Sequence, residues 1–332
     1  MQVTARSTPN IAIIKYWGNR NNALRLPSYD SLGMTINTPS VDITVEDADA
    51  FSLQSFLANG SEKIIDGENL ARFTKHRELT NKYLNFLGIE KMIPGNIAIT
   101  IRSAIPPSIG LASSAAVFSC IAKCYGNFGK SPLTDEQISV IARLGSGSAT
   151  RSIFGGFTAI ECSNRDTIDA AKAVQIANES HWPLYDIIIV PSQEEKAVGS
   201  TEGHAIAQTS PYWKKRVEAM PRRQSECIDA ILNKDFEKLQ AVAEEDCMDM
   251  HHVMETSSTP LKYLSDETHR ILAEVKELRK EQHLEVLYTM DAGPTVHLFC
   301  TPDARTDILA FANAQQGCTV FETTVGPGTH LV

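Results

Sequence analysis

Pro106-Pro-Ser-Ile-Gly110-Leu-Ala-Ser113-Ser114-Ala-Ala116 is the stretch from which the rest of the chain is read. Before it, Ile97, Ile99 and Ile101 alternate with polar residues, the period of a half-buried strand. After it, Val117, Phe118, Cys120 and Ile121 follow the small residues as a helix packed on that strand would. The order strand, loop, helix puts Gly110, Ala112, Ser113 and Ser114 at a helix N-terminus with almost no side-chain bulk. Backbone N–H groups there approach an anion closely, with two hydroxyls beside them, which reads as a phosphate cradle. No G-x-x-x-x-G-K-[ST] occurs, so this is not the lysine-containing P-loop. The competing reading is that small residues merely let a helix lie close to a sheet.

Working outward, 332 residues with 42% apolar and 21% charged content suit a globular chain with one large or two ordinary domains. A formal charge of −9 argues against nonspecific binding to nucleic acid or anionic membrane, so an anionic ligand needs a local cluster of cations. Seven cysteines, mostly within apolar runs and without a C-x-x-C pair, fit a reduced cytoplasmic setting. The first ten residues lack the apolar centre of a signal peptide, and no window approaches the ~20 apolar residues of a membrane span.

The first half reads as strands Ile11 to Tyr16, Val41 to Glu46 and Ile97 to Ile101, with a helix from Asn69 to Phe86. Thr134 and Gln137 form a capping box for a helix carrying Ile138, Ile141 and Leu144, and Phe157 to Glu161 returns to strand. An alanine-rich stretch before His181-Trp182-Pro183 reads as helix, and a domain boundary is expected there. Beyond it come a buried strand, Asp186 to Val190, and helices opened by Ser210-Pro211 and by Asp235. A third helix carries Ile271, Leu272, Val275 and Leu278, and strands Leu284 to Tyr288, Thr295 to Cys300 and Thr319 to Thr323 complete an α+β module.

Four further stretches are richer in special residues than structure alone requires. Pro9-Asn-Ile-Ala-Ile-Ile-Lys15-Tyr16-Trp17-Gly18 sets an ammonium at a strand end beside two aromatics; it is either a solvated strand end or a cation aimed at a phosphate or carboxylate. Gly145-Ser146-Gly-Ser148-Ala-Thr-Arg151-Ser offers hydroxyl donors and one bidentate cation, against the alternative of a flexible turn. Tyr288-Thr-Met-Asp291-Ala-Gly-Pro294 puts an acid at the end of an apolar strand, as a general base or as an ordinary turn residue. Val198-Gly-Ser200-Thr-Glu-Gly203 is the weakest, a plain loop being the simpler reading. His251 and His252 lack an H-E-x-x-H partner, so no metal site is expected, and the acids from Glu244 to Asp249 read as a solvated helix face.

Together N-I-A-I-I-K-Y-W-G, P-P-S-I-G-L-A-S-S-A-A, G-S-G-S-A-T-R-S-I-F-G-G-F and Y-T-M-D-A-G-P resemble the GHMP kinase superfamily and, within it, the mevalonate diphosphate decarboxylases. The resemblance implies an α+β fold of two domains, 1–183 with ribosomal-protein-S5-like topology and 184–332 a ferredoxin-like α/β sandwich. It also implies an active site in the cleft between them, a cytoplasmic homodimer, and ATP with Mg²⁺ as cofactors. The implied reaction phosphorylates a tertiary 3-hydroxyl, after which phosphate and CO₂ leave to give isopentenyl diphosphate. Carried onto this chain, Asp291 is the base, Arg151 the clamp on the departing carboxylate and Lys15 a cation toward substrate phosphate. Tyr16, Trp17, Ser146, Ser148 and Ser200 are expected to bind substrate. Pro106, Gly110, Leu111, Ala112, Ser113 and Ser114 are expected to bind ATP, with no protein metal ligand assigned. Departures from the family pattern stand at Asn19 (a second lysine in K-Y-W-G-K), at Tyr29-Asp30 and at Thr295. One cation fewer and one carboxylate more then sit near the phosphate end, which leaves open a monophosphate decarboxylase, a mevalonate 3-kinase or a non-catalytic nucleotide sensor on the same scaffold.

Overall fold

A computed structural model describes residues 1–65, 67–89, 92–106, 111–129, 131–191 and 200–332, the side chains of 200 and 201 excepted. Three sheets organise the chain. The first has the order β15-β1-β6-β8-β7, formed by β1 (Gln2–Ser7), β6 (Val41–Asp47), β7 (Ser52–Leu57), β8 (Ile97–Ser103) and the terminal β15 (His330–Leu331). Its alternating residues pair in register, Ile43 with Ile101 and Val45 with Ile99, so one face is continuously apolar. Helix α2 (Ser113–Gly126) lies on that face with Phe118, Cys120, Ile121 and Cys124 buried, while α1 (Gly67–Phe86) lies in the connection between β7 and β8.

The second sheet, β10-β9-β5-β2, contains β2 (Asn10–Ile14), β5 (Ser31–Thr35), β9 (Phe157–Cys162) and β10 (Ala171–Ala177). Every residue of β2 and β5 is buried, because helices cover what a two-sided apolar run cannot leave exposed. Helix α3 (Asp135–Gly145) opens with the expected capping box between Thr134 and Gln137. The alanine-rich stretch predicted as helix is instead β10: Ala173 pairs with Ile160, and its N–H donates to Ser139 Oγ of α3 at 2.9 Å. Alanine's helix preference is worth only tenths of a kcal/mol per residue, and a waiting strand edge outweighs it.

The third sheet, β12-β13-β11-β14, is antiparallel and built from β11 (Tyr185–Val190), β12 (Val286–Thr289), β13 (Val296–Cys300) and β14 (Thr319–Thr324). Around it lie α4 (Ser200–Ile206), α5 (Trp213–Asn233), α6 (Phe236–Glu255), α7 (Asp266–Gln282) and α8 (Arg305–Asn313). The helix expected at Ser210-Pro211 begins at Trp213, with Ser210 turning the chain into it. A small hairpin of β3 (Asn19–Asn21) and β4 (Leu26–Pro27) completes the strands.

One apolar core joins the halves: Ile11, Met34 and Leu144 share a cluster with Ile188, Met220, Leu239 and Phe299. The chain end also crosses back, Val325 bridging Ile36 and β15 adding to β1. The acids expected on a solvated face of α6 are largely inside. Asp246 is fully buried against Arg216 (3.1 Å) and Arg223 (3.2 Å), and Glu244 pairs with Arg279 at 2.6 Å. Periodicity could not reveal this, because the arginines that neutralise these acids come from other helices.

Candidate active site

The fully buried strand β2 ends at Ile14, and Lys15 follows it where α5 and α6 pack on the strand. The Lys15 backbone is held on both sides: its N–H donates to Asp246 Oδ2 at 2.6 Å, and its carbonyl accepts from Arg216 Nη2 at 3.4 Å. Its side chain is 1% exposed, and Nζ donates to Asp291 Oδ1 at 2.7 Å. An ammonium that far from water requires a counter-charge. The cation expected to face substrate phosphate thus has a carboxylate partner.

Asp291 stands two residues beyond β12 and keeps 29% side-chain exposure, so its carboxylate meets both Lys15 and the cleft. Burial by itself would raise its pKa. The Lys15 charge and hydrogen bond, with the Arg151 charge behind them, outweigh burial and hold the carboxyl below its ordinary value. It is ionised at neutral pH and ready to accept a proton.

Arg151 lies in a 3-10 helix, Gly147–Ile153, that follows α3. It is 2% exposed; Nε donates to Asn10 Oδ1 and Nη1 to Ser31 Oγ, both at 2.8 Å. Asn10 in turn donates to the Ser148 carbonyl (2.9 Å) and to Ser152 Oγ (2.8 Å), so β2 and the 3-10 helix fix the guanidinium together. Gly33 makes room for it, since a Cβ there would stand 2.8 Å from Arg151 Nε. Burial lowers the Arg151 pKa to about 10, which still leaves a permanent cation at neutral pH.

Beside these groups, Ser114 Oγ lies 3.2 Å from Ser146 Oγ, which lies 3.3 Å from Ser148 Oγ. This chain of hydroxyls joins the start of α2 to the end of α3. Ala112 caps α2 without any side-chain bond, and the Ser113 N–H donates to the Leu111 carbonyl at 2.6 Å, so the two serine hydroxyls are what the start of the helix presents. Leu111 is buried and Pro106, three residues beyond β8, is half-buried; Gly110 lies outside the described residues.

Tyr16 and Trp17 form the wall opposite. The Tyr16 ring lies against Gly147, where any side chain would collide with it, and its hydroxyl donates to Asn19 Oδ1. His204 of α4 stacks near both aromatics, with ring centroids 4.4 and 4.7 Å away, and accepts the Gly18 N–H at Nδ1. Burial drives the His204 pKa down to about 3 and the Tyr16 hydroxyl up to about 12, so both are neutral. The Ser200 side chain lies outside the described residues.

The departures noted in the sequence resolve differently from expectation. Asp30 does not add a carboxylate to the phosphate end; it accepts the Cys162 N–H at 2.8 Å within the second sheet. Tyr29 donates to the Trp17 carbonyl and accepts from Arg216 Nε, bracing the aromatic wall. Sequence reading missed Asn10 and Ser31 as supports of Arg151. It also missed Arg72 of α1, whose guanidinium donates to the Gly145 carbonyl (2.9 Å) immediately before Ser146. Asn10 and Ser31 sat inside or beside quoted motifs, whereas nothing in the polar helix α1 distinguished Arg72.

A helix start bearing two serines, a run of hydroxyls, a fixed guanidinium and an ion-paired carboxylate converge across the junction of two α+β halves. Among the described residues no group of three or more His, Cys, Asp or Glu is placed to hold a metal ion. The arrangement is that of the GHMP-kinase class of phosphoryl-transfer proteins. Residues 7–171 match the family model of the diphosphomevalonate decarboxylase-like N-terminal domain, and residues 186–325 that of the mevalonate 5-diphosphate decarboxylase C-terminal domain. A diphosphomevalonate decarboxylase of Ganoderma lucidum is 33% identical over 311 residues, covering 90% of this chain and 78% of its own. The solved mevalonate diphosphate decarboxylase of Staphylococcus aureus superposes with a TM-score of 0.88 at 28% identity, covering 100% of this chain and 98% of its own. A solved complex of MDDEF with MVAPP, AMPPCP and magnesium superposes with a TM-score of 0.86 at 26% identity, covering 100% and 99%. The chain belongs to the diphosphomevalonate decarboxylase family.

Proposed function

We propose that this chain decarboxylates mevalonate 5-diphosphate to isopentenyl diphosphate at the expense of ATP, releasing ADP, phosphate and CO₂. The observation that carries the residue assignment is the 2.7 Å Lys15–Asp291 pair, with Arg151 acting on the same carboxylate. Asp291 accepts the proton of the tertiary 3-hydroxyl as that oxygen takes the phosphoryl group; because such transfer passes through a loose transition state, an ordinary carboxylate suffices. Lys15 keeps Asp291 ionised and oriented. When the C3–O bond to the new phosphate breaks, Arg151 holds the neighbouring carboxylate so that its C–C bond aligns with the emptying orbital. That bond's electrons form the double bond as CO₂ leaves. Tyr16, Trp17, Ser146, Ser148 and Ser200 bind the substrate.

The serine hydroxyls fit phosphate oxygens as donors and a hard divalent cation as oxygen ligands. Pro106, Gly110, Leu111, Ala112, Ser113 and Ser114 would hold ATP. Bound there, ATP with Mg²⁺ supplies the phosphoryl group and neutralises its charge. The same proposal divides the chain into domains 1–183 and 184–332 and takes the protein as a cytoplasmic homodimer, in keeping with seven unpaired cysteines. CO₂ and ADP release should be measured with mevalonate and its mono- and diphosphates. Turnover of the diphosphate with equal CO₂ and ADP is expected. Turnover of the monophosphate alone, or ADP without CO₂, would replace this reading by a monophosphate decarboxylase or a 3-kinase.

A further inference from the structure

The phosphate end of the cleft holds a cation that the roles above leave unused. The hairpin of β3 and β4 pairs Asn21 with Leu26 and is laid over the C-terminal turn of α3 by Arg143, whose Nε donates to the Leu24 carbonyl at 3.3 Å. Leu24 and Leu26 bury against Ile160, Ala170 and Ala171. Arg25, between them, is half-buried and within electrostatic reach of Tyr16, Arg72, His76 and His204. The other polar groups of the hairpin are engaged elsewhere. Arg20 donates to the carbonyls of Ser163 (2.8 Å) and Arg165 (2.7 Å), and Asn19 bonds Tyr16 and Asn22.

Two features set Arg25 apart. Among the described residues its guanidinium has no hydrogen-bond acceptor and no carboxylate, and its neighbour Arg72 meets only the Gly145 carbonyl and the Phe118 ring. Two like charges thus stand in the same partly desolvated wall, neither with a carboxylate partner among the described residues. Arg25 also has φ 48, the left-handed region. The other non-glycine residues there, Lys234 and His283, end helices, where that conformation is ordinary, but Arg25 ends none and occupies a hairpin position suited to glycine or asparagine. Like-charge repulsion and backbone strain both destabilise the empty protein, and a bound polyanion offsets the first.

We propose that Arg25 is a substrate-binding residue that joins Arg72 on the distal phosphate of the 5-diphosphate and so sets the preference for a diphosphate over a monophosphate. This rests on the reading of the cleft given above. The reacting end is marked by Lys15 and Arg151 acting on Asp291, and Arg151 and Arg25 both act on Tyr16. Arg143 holds the Leu24 carbonyl and Arg72 the Gly145 carbonyl, so the turn that carries Arg25 stands beside the start of the serine run rather than at the reacting end. A diphosphate whose reacting end is at Asp291 extends toward the serine run, and the extra charge it carries is the charge Arg25 meets.

The test uses the full chain and Arg25→Gly, Arg25→Gln and Arg25→Lys, with inorganic pyrophosphate as a binding probe and both mevalonate phosphates as substrates. For Gly and Gln, pyrophosphate binding should weaken roughly five- to tenfold, as for loss of a partly screened ion pair. The KM for the diphosphate should rise several times more than that for the monophosphate, and Lys should recover most of the loss. Without ligand, Arg25→Gly should melt about 1–3 °C higher, because glycine relieves the left-handed backbone and the repulsion. Weaker binding with higher stability is a combination that a merely structural arginine does not give. Unchanged pyrophosphate affinity in Arg25→Gln, or equal KM increases for the two substrates, overturns the assignment. If the natural chain fails to turn over the diphosphate, the functional reading falls, while the pyrophosphate titration still decides the role of Arg25.

Discussion

Lys15 and Asp291 set each other's charge state. The ammonium is 1% exposed and the carboxylate is held below its ordinary pKa against the effect of burial. Lys15→Met keeps the apolar stem and removes the charge, so burial then pushes Asp291 upward. We expect the acid limb of the kcat/KM profile to move to higher pH as the rate falls, and an unmoved limb would show that Lys15 does not tune the base. Arg151→Lys probes geometry rather than charge, since a lysine cannot span Asn10 Oδ1 and Ser31 Oγ while presenting a planar fork to a carboxylate. Decarboxylation should drop by on the order of 10²-fold, the cost of misplacing a positioned group. Decarboxylation kinetics of the lysine variant at the natural enzyme's rate would refute the clamp.

At the scale of elements, the site depends on how α5 and α6 grip the strand that carries Lys15. Asp246 accepts the Lys15 N–H while paired with Arg216 and Arg223, all three buried or nearly so. Removing one member of such a network strands the others. Asp246→Ala should therefore cost about 3–5 kcal/mol in urea unfolding. Asp246→Asn, which keeps an acceptor for the Lys15 N–H, should retain more activity than stability. A loss below 1 kcal/mol in the alanine variant would mean that the arginines find water or another acid. The helix stripes of α3, α6 and α7 were legible because an apolar face is local information, and the Thr134 capping box because three residues carry it. Strand β10 was misread because its pairing partner, β9, is part of a sheet that sequence periodicity does not display.

For the whole molecule, buried neutral histidines set the response to acid. Burial lowers His76 from its ordinary 6.5 to about 4 and His204 to about 3. Below pH 6.5 the unfolded chain takes up protons that the folded chain refuses, so each histidine's contribution to stability falls as pH drops from about 6.5 toward those folded values. Asp291, whose pKa is depressed, adds a loss at still lower pH, below its ordinary 3.8. Urea midpoints measured from pH 7 to pH 4 should fall steadily; a flat profile over that range would contradict the burial of His76 and His204.

The sequence by itself determined the motifs, most elements and the chemical types at the site, because each is written in neighbouring residues: a small-residue helix start, an acid at a strand end, an arginine among serines. Tertiary structure alone decided which groups face one another. It placed Lys15 on Asp291 across 276 residues of chain and turned Asp30 into the second sheet. It also brought Arg72 from α1 to the Gly145 carbonyl and set Arg25 near it without an acid. Those partnerships join distant segments, and only the burial of a common core fixes their distances and hence their charges.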